Sequence, residues 1–315
     1  MATSFYRDWF SLILEVFRTR GGLFWLVVSP LLYILCRIAV RRFQGSHKAR
    51  SRGDVETMTL EEAYSIKARI ADEFPTVFST AINFVFFKAE GIPSIAKLVA
   101  RAAQRSSSAP QKTPQRPRRG AGVAPGDLLG RPGAAETKAA IDRVNHVHSF
   151  YRPSGKMSDD DLLYVLSLFA LEPMRWIDRL EGRRLTELER CALATLWKAL
   201  GEELRIPFDK LPSCAEGGFR DTLHWLAELE DWGRMYEERN REKSPESKLL
   251  AQKQLDAWVG GIPGVFRPTA RCLVAAFIEP RLRRAMGIET PSATAIFLIE
   301  TMIYVRKFIR RCSYG

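Results

Sequence analysis

The chain has 315 residues, 46% of them hydrophobic and 27% charged, which is the balance of a globular protein long enough for one large domain or two modest ones. Lys and Arg (48) outnumber Asp and Glu (36), giving a formal net charge of +12, but no basic helix face interleaved with aromatics, zinc-finger spacing or RRM signature occurs, and nucleic acid is not an expected partner. Five scattered cysteines (Cys36, Cys191, Cys214, Cys272, Cys312) without a CxxC pair exclude a disulfide framework and a structural zinc site, and fit a reducing compartment.

Residues 1–20 form an N-terminal flank in which Trp9 to Phe17 is apolar enough for a short helix lying in a membrane interface. Gly21 to Val40 (GGLFWLVVSPLLYILCRIAV) carries one charge, Arg37, near its end. Twenty helical residues span roughly 30 Å, the thickness of a bilayer core, so residues 21–42 are expected to be a single transmembrane anchor. A cleaved signal peptide fits less well, because the run is long and a basic flank rather than a small-residue cleavage site follows. Arg41, Arg42, Lys48, Arg50 and Arg52 precede the first acid on that side, Asp54. The positive-inside rule then faces the remainder to the cytosol.

Residues 55–103 read as the first helical part of a domain. Thr59 with Glu61 and Glu62 opens a helix to about Arg69, Phe74 to Lys88 is a second, and Ser94 restarts a third after Gly91-Ile92-Pro93. Residues 104–135 are mostly Ser, Pro, Gly, Arg and Ala, with almost no large apolar residue and a single acid, Asp127. Such a tract buries too little apolar surface to offset its backbone entropy and is expected to be a disordered basic linker or insertion.

Residues 136–315 read as the main helical domain. Ser158 followed by Asp159, Asp160 and Asp161 caps a helix through Leu180 that contains Pro173, where a kink is expected. Thr186 and Glu189 form a capping box for a helix through Leu204. Gly217-Gly218 opens a helix whose Trp225, Leu229, Trp232 and Tyr236 share one face, more naturally a core stripe than a ligand wall. Leu249 to Val259, Pro263 to Met286 and Pro291 to Arg311 complete the set, the last as a core helix with a solvated basic end. With no alternating strand pattern, the fold class is all-α.

His148 is the candidate that composition and spacing single out. With Ile141, Val144 and Tyr151 it falls on the apolar face of one helix, where a buried histidine needs a hydrogen bond, a charge partner or a metal. A satisfied core histidine and an axial ligand to a heme iron are both open on spacing alone. Only four histidines exist (His47, His146, His148, His224), too few for the usual zinc or non-heme iron triads, whereas a heme needs one. No Walker A, GxGxxG, GxSxG or HExxH motif is present.

Three blocks carry a resemblance: Arg143-Val-Asn145-His-Val-His148-Ser149-Phe-Tyr151-Arg152, Gly155-Lys156-Met-Ser-Asp-Asp160-Asp161-Leu-Leu-Tyr164, and Leu171-Glu172-Pro173-Met-Arg175-Trp176. With EFPTVF…GIPSIAKL at 73–98, WK at 197–198 and RLRRAM at 281–286, the chain resembles the fungal endoplasmic-reticulum-bound oxygenases of the mycophenolic-acid type, which share a catalytic-domain family with bacterial rubber oxygenases. The resemblance implies a globin-like helical fold binding heme b. It also implies dioxygen chemistry on an isoprenoid or other lipophilic secondary-metabolite intermediate, typically cleavage of a C=C bond. On that reading His148 ligates the iron, His146 is the second candidate, and Arg143 supplies positive charge to partly reduced oxygen or a heme propionate. Arg143 is five residues from His148, roughly 140° around a helix, which puts it at the pocket edge. Rubber oxygenases carry their proximal histidine in the following helix, at the position of Ser167. Hydroxylation is the alternative chemistry, and the alternative class is a non-catalytic, membrane-anchored helical protein whose basic linker binds acidic partners or headgroups.

Overall fold

The computed structural model describes residues 58–108 and 125–312, and every regular element among them is helical. The expected anchor at 21–42 lies outside the described residues. Among those described, no helix is long and apolar enough to cross a membrane.

The first three helices are α1 (Leu60–Glu73), α2 (Pro75–Ala89) and α3 (Pro93–Ser108). Thr59 caps α1 through a reciprocal capping box with Glu62, as its sequence dictates. After a short α4 (Pro125–Leu128) come α5 (Ala135–Tyr151), α6 (Asp159–Leu180) and α7 (Glu187–Glu203). The Ser158 hydroxyl accepts the amide of Asp161 to start α6, and Thr186 with Glu189 forms the box that starts α7. Past the short α8 (Pro212–Ala215) run α9 (Thr222–Asn240), α10 (Pro245–Val259), α11 (Arg267–Phe277), α12 (Pro280–Ala285) and α13 (Ala293–Cys312).

Helix α6 is the centre of the molecule. It is buried on nearly every side, packing on α2, α7, α9 and α13, while α1 and α9 flank α7. Its continuous apolar run LLYVLSLFALEPM leaves no face for water, the mark of a core helix. The helix continues unbroken through Pro173 to Leu180. A second, smaller core gathers Phe87, Ala251, Leu255, Ile278, Leu282 and Met286 where α2, α10 and α12 meet.

Four expectations change. The tract expected to be disordered over 104–135 is ordered at both ends: α3 continues to Ser108, and Leu129 is buried. The cause is tertiary, since Lys67 Nζ donates to the Leu129 carbonyl at 2.6 Å and Arg131 pairs with Glu61. The segment from Pro263 to Met286 is a 3₁₀ turn and two helices rather than one, because Glu279 precedes Pro280 and is held extended at ψ 138°. Gly217 and Gly218 form a left-handed turn (φ 107° and 105°), and Asp221 caps α9 instead. The last helix, α13, is not a core helix: Phe297, Tyr304 and Phe308 are 70%, 72% and 60% exposed. It is fastened along one side, to α11 by packing and to the end of α6 by Arg306 and Arg310 pairing with Glu181.

Gly182 is where α13 comes closest to the turn after α6. A Cβ there would lie 2.5 Å from the backbone nitrogen of Arg311 and 2.7 Å from the carbonyl carbon of Arg310. Backbone cannot yield as a side chain does, so Gly182→Ala is expected to destabilise the fold by about 2 kcal/mol. A thermal melt of the variant matching wild type would mean that α13 does not seat there.

Candidate functional site

The sequence candidates lie on α5, an outer helix whose buried positions are confined to Thr137, Ala140 and Ile141. Two side chains tie its C-terminal half to the end of α7: Asn145 Nδ2 donates to the Glu203 carbonyl and Arg152 Nη1 to the Arg205 carbonyl, each at 3.0 Å. Arg152 also pairs with Asp159 at 2.6 Å. His148 lies on the face that these two residues define and is half-buried. Its Nδ1 is shielded from solvent and has no hydrogen-bond partner. Burial first, and then the nearby Arg152 charge, push its pKa down to about 4, so the imidazole is neutral at physiological pH.

The other two candidates do not join it. Arg143 and His146 are exposed, and His146 packs edge-on against Phe150 with centroids 4.9 Å apart. Their spacings from His148, five and two residues, turn them to other faces of the helix.

Away from α5, a cavity of about 430 Å³ opens between α2, α6 and α9 and is closed by Phe277 and the start of α12. One wall is aromatic. The Trp176 ring lies 5.1 Å from Phe84 and 5.0 Å from Phe277, centroid to centroid. Beside it, and joined to it through the Trp176 indole, lies a buried ionic network. Glu172, 5% exposed, accepts from Lys88 Nζ at 2.9 Å, Arg175 Nη1 at 3.1 Å and Trp176 Nε1 at 3.2 Å. Burial alone would raise its pKa, but the Lys88 and Arg175 charges and hydrogen bonds outweigh it and hold the carboxyl below its ordinary value.

Lys88 also reaches Glu237 at 3.2 Å, and Glu237 accepts the Tyr164 hydroxyl at 3.0 Å and pairs with Arg241 at 3.0 Å. Burial drives the Tyr164 phenol well above its ordinary pKa, leaving it a donor at any physiological pH. None of these five residues (Lys88, Tyr164, Glu172, Glu237, Arg241) is evident as a site residue in the sequence. The available signal was a charge within an apolar run: Glu172 in LFALEPM and Lys88 after FVFF.

Ser167 lines this cavity, 1% exposed, with its hydroxyl donating to the Tyr164 carbonyl at 2.7 Å. A Cβ on the facing Gly233 would sit 2.8 Å from that hydroxyl oxygen, so glycine is what lets α9 approach α6. No histidine lines the cavity. Among the described residues, no group of three or more His, Cys, Asp or Glu is placed to hold a metal ion. His148, outside this cavity, presents a neutral imidazole with a shielded and uncommitted nitrogen. The carboxylates of the cavity are already committed to cations.

Comparison with known proteins adds three relatives. The chain is 33% identical over 262 residues to "ER-bound oxygenase mpaB'" of Penicillium brevicompactum, covering 83% of this chain and 61% of that protein. It is 34% identical over 263 residues to "ER-bound oxygenase mpaB" of Penicillium roqueforti, covering 83% and 87%. The "ER-bound oxygenase mpaB" of Penicillium brevicompactum is 33% identical over 249 residues, covering 76% and 63%. The chain thus spans less than two thirds of the length of two of these relatives. Residues 94–310, from the start of α3 almost to the end of α13, match the model of the ER-bound oxygenase mpaB/B'/rubber oxygenase catalytic domain, and the chain belongs to that family.

Proposed function

We propose that this protein is an oxygenase, an oxidoreductase that uses dioxygen on a lipophilic, isoprenoid or meroterpenoid-like substrate at the endoplasmic reticulum membrane. The names of its relatives support the reaction class and the location. The apolar run at Gly21 to Val40 supports a single-pass anchor with the helical domain facing the cytosol. Heme b is the proposed cofactor, and the observation that carries it is the shielded, unpartnered and neutral His148 Nδ1.

Heme held through His148 supplies the redox chemistry that activates dioxygen. His146, exposed on another face of α5, is the second candidate ligand, and Arg143, also turned to another face, would reach only the rim of such a site. Phe84, Trp176 and Phe277 receive the apolar chain and exclude water from it. Glu172, held by three donors of which one is the Trp176 indole, fixes that ring in the cavity wall. Oxidative C=C cleavage balances without an external reductant, since one dioxygen supplies the oxygen of each of the two carbonyl groups formed. Hydroxylation would consume two further electrons and so require a reductant.

The test is the absorption spectrum of the full chain loaded with heme, beside His148→Ala. A Soret band in wild type that is lost or shifted in the variant is the expected result. A band unchanged in the variant would remove His148 as the ligand. No band in folded wild type would overturn the heme reading and favour a non-catalytic, membrane-anchored protein.

A further inference from the structure

The cavity beside α6 opens into a wider cleft, and the two share Glu237, Glu238 and Arg281 as lining. The cleft is framed by α9 and α12 and by Lys243 just past α9, with Arg241, Lys243, Arg281 and Arg284 set against Glu237 and Glu238. The carboxylates are accounted for. Glu238 pairs with Arg281 at 3.3 Å, and Glu237 is taken by Lys88, Tyr164 and Arg241. Lys243 and Arg284 are exposed and have no ion-pair partner among the described residues. Arg241, on the same wall, is buried and committed, pairing with Glu237 and Glu279 and donating to the Tyr164 hydroxyl. Arg283, adjacent in sequence and buried, donates to the carbonyls of Ala275 and Ile278, so no carboxylate cancels its charge.

A surplus of guanidinium and ammonium groups at the mouth of an aromatic-walled cavity matches an amphiphile of opposite sign. We infer that the substrate of this protein carries an anionic head, a carboxylate or a phosphate, which Lys243 and Arg284 of the cleft hold while the apolar chain enters the cavity lined by Phe84, Trp176 and Phe277. The inference rests on the lipophilic-substrate reading above and adds the charge of the head group and its place of binding. Fixing the head at one end would set which carbon of the chain lies deepest.

The experiment is calorimetric titration of the full chain in amphipol with dodecanoate, dodecyl phosphate and methyl dodecanoate, in wild type and in the double variant Lys243→Glu, Arg284→Glu. Both substituted side chains are exposed and unpaired, so folding is expected to survive. Wild type should bind at least one anionic ligand about tenfold more tightly than the ester. The double variant should lose that preference while its affinity for the ester stays unchanged. Whichever anion is preferred names the head group. Equal binding of all three ligands by wild type would overturn this inference and leave the lipophilic cavity standing. A preference that persists in the double variant would overturn its assignment to the cleft. Failure of all three to bind would overturn the lipophilic-cavity reading together with the inference.

Discussion

Replacing Glu172 with leucine should lower the free energy of unfolding by about 3 kcal/mol. Glu172 lies among apolar residues of α6 and neutralises Lys88 from α2, whose ammonium is itself buried. Leucine removes the carboxylate but leaves Lys88 in place, with Glu237 its remaining partner at 3.2 Å. The indole nitrogen of Trp176 and one arm of Arg175 lose their acceptor in the same step. That partial compensation puts the expected loss at the lower edge of the roughly 3–5 kcal/mol typical of breaking a buried pair.

The partner variant, Lys88→Met, should be destabilising too. The double variant should cost less than the two single changes together, because it buries no unpaired charge. Urea denaturation of the three variants supplies the cycle. Single losses below about 1 kcal/mol, or strict additivity, would mean that the network is not closed as described. The same cycle bears on function, since Glu172 holds the Trp176 indole in the cavity wall.

The pH dependence of stability should be nearly flat in wild type between pH 4 and 7 and should slope in opposite directions in two variants. His148 has its folded pKa lowered from 6.5 to about 4 by burial and by Arg152. Below 6.5 the unfolded chain takes up a proton that the folded chain refuses, so stability falls as pH drops from 6.5 to about 4. Glu90, at the C-terminal end of α2, is shifted the other way, from 4.5 to about 7, by burial. Between 4.5 and 7 the folded chain holds a proton that the unfolded chain releases, so stability falls as pH rises through that window.

Each shift corresponds to something on the order of 3 kcal/mol, and over most of the window the two oppose each other. Glu90→Gln should therefore expose the histidine slope, with stability lost on acidification. His148→Ala should expose the glutamate slope, with stability lost on the alkaline side. Chemical denaturation at half-unit pH steps reads both. Parallel slopes in the two variants would show that neither group is shifted as the structure implies. An iron bound at His148 would deepen the acid sensitivity of wild type, because protonation competes with the metal for the ring nitrogen.

What the sequence carried well was local. The starts of α1, α6 and α7 follow from Thr59, Ser158 and Thr186, each acting on an amide three residues away, a distance within reach of the chain itself. The apolar stripe that sets His148 inward is likewise a matter of helical period, and the three family blocks were visible as contiguous strings. The helix start at Gly217-Gly218 was misplaced, because two glycines signal a turn as readily as a helix boundary and Asp221 is the stronger cap.

The sequence by itself determined helices throughout the described residues, their main caps and the family. Those features depend on residue type and short spacing, which folding does not alter. Only the tertiary structure decided that Leu129 is buried against α1, 62 residues from Lys67. It alone showed that Lys88 and Glu172, 84 residues apart, close one wall of a cavity. Long-range pairing of charges has no sequence period. It depends on which helix faces interlock once α6 is enclosed by α2, α7 and α9, and is fixed by the packing of apolar side chains elsewhere on the same helices.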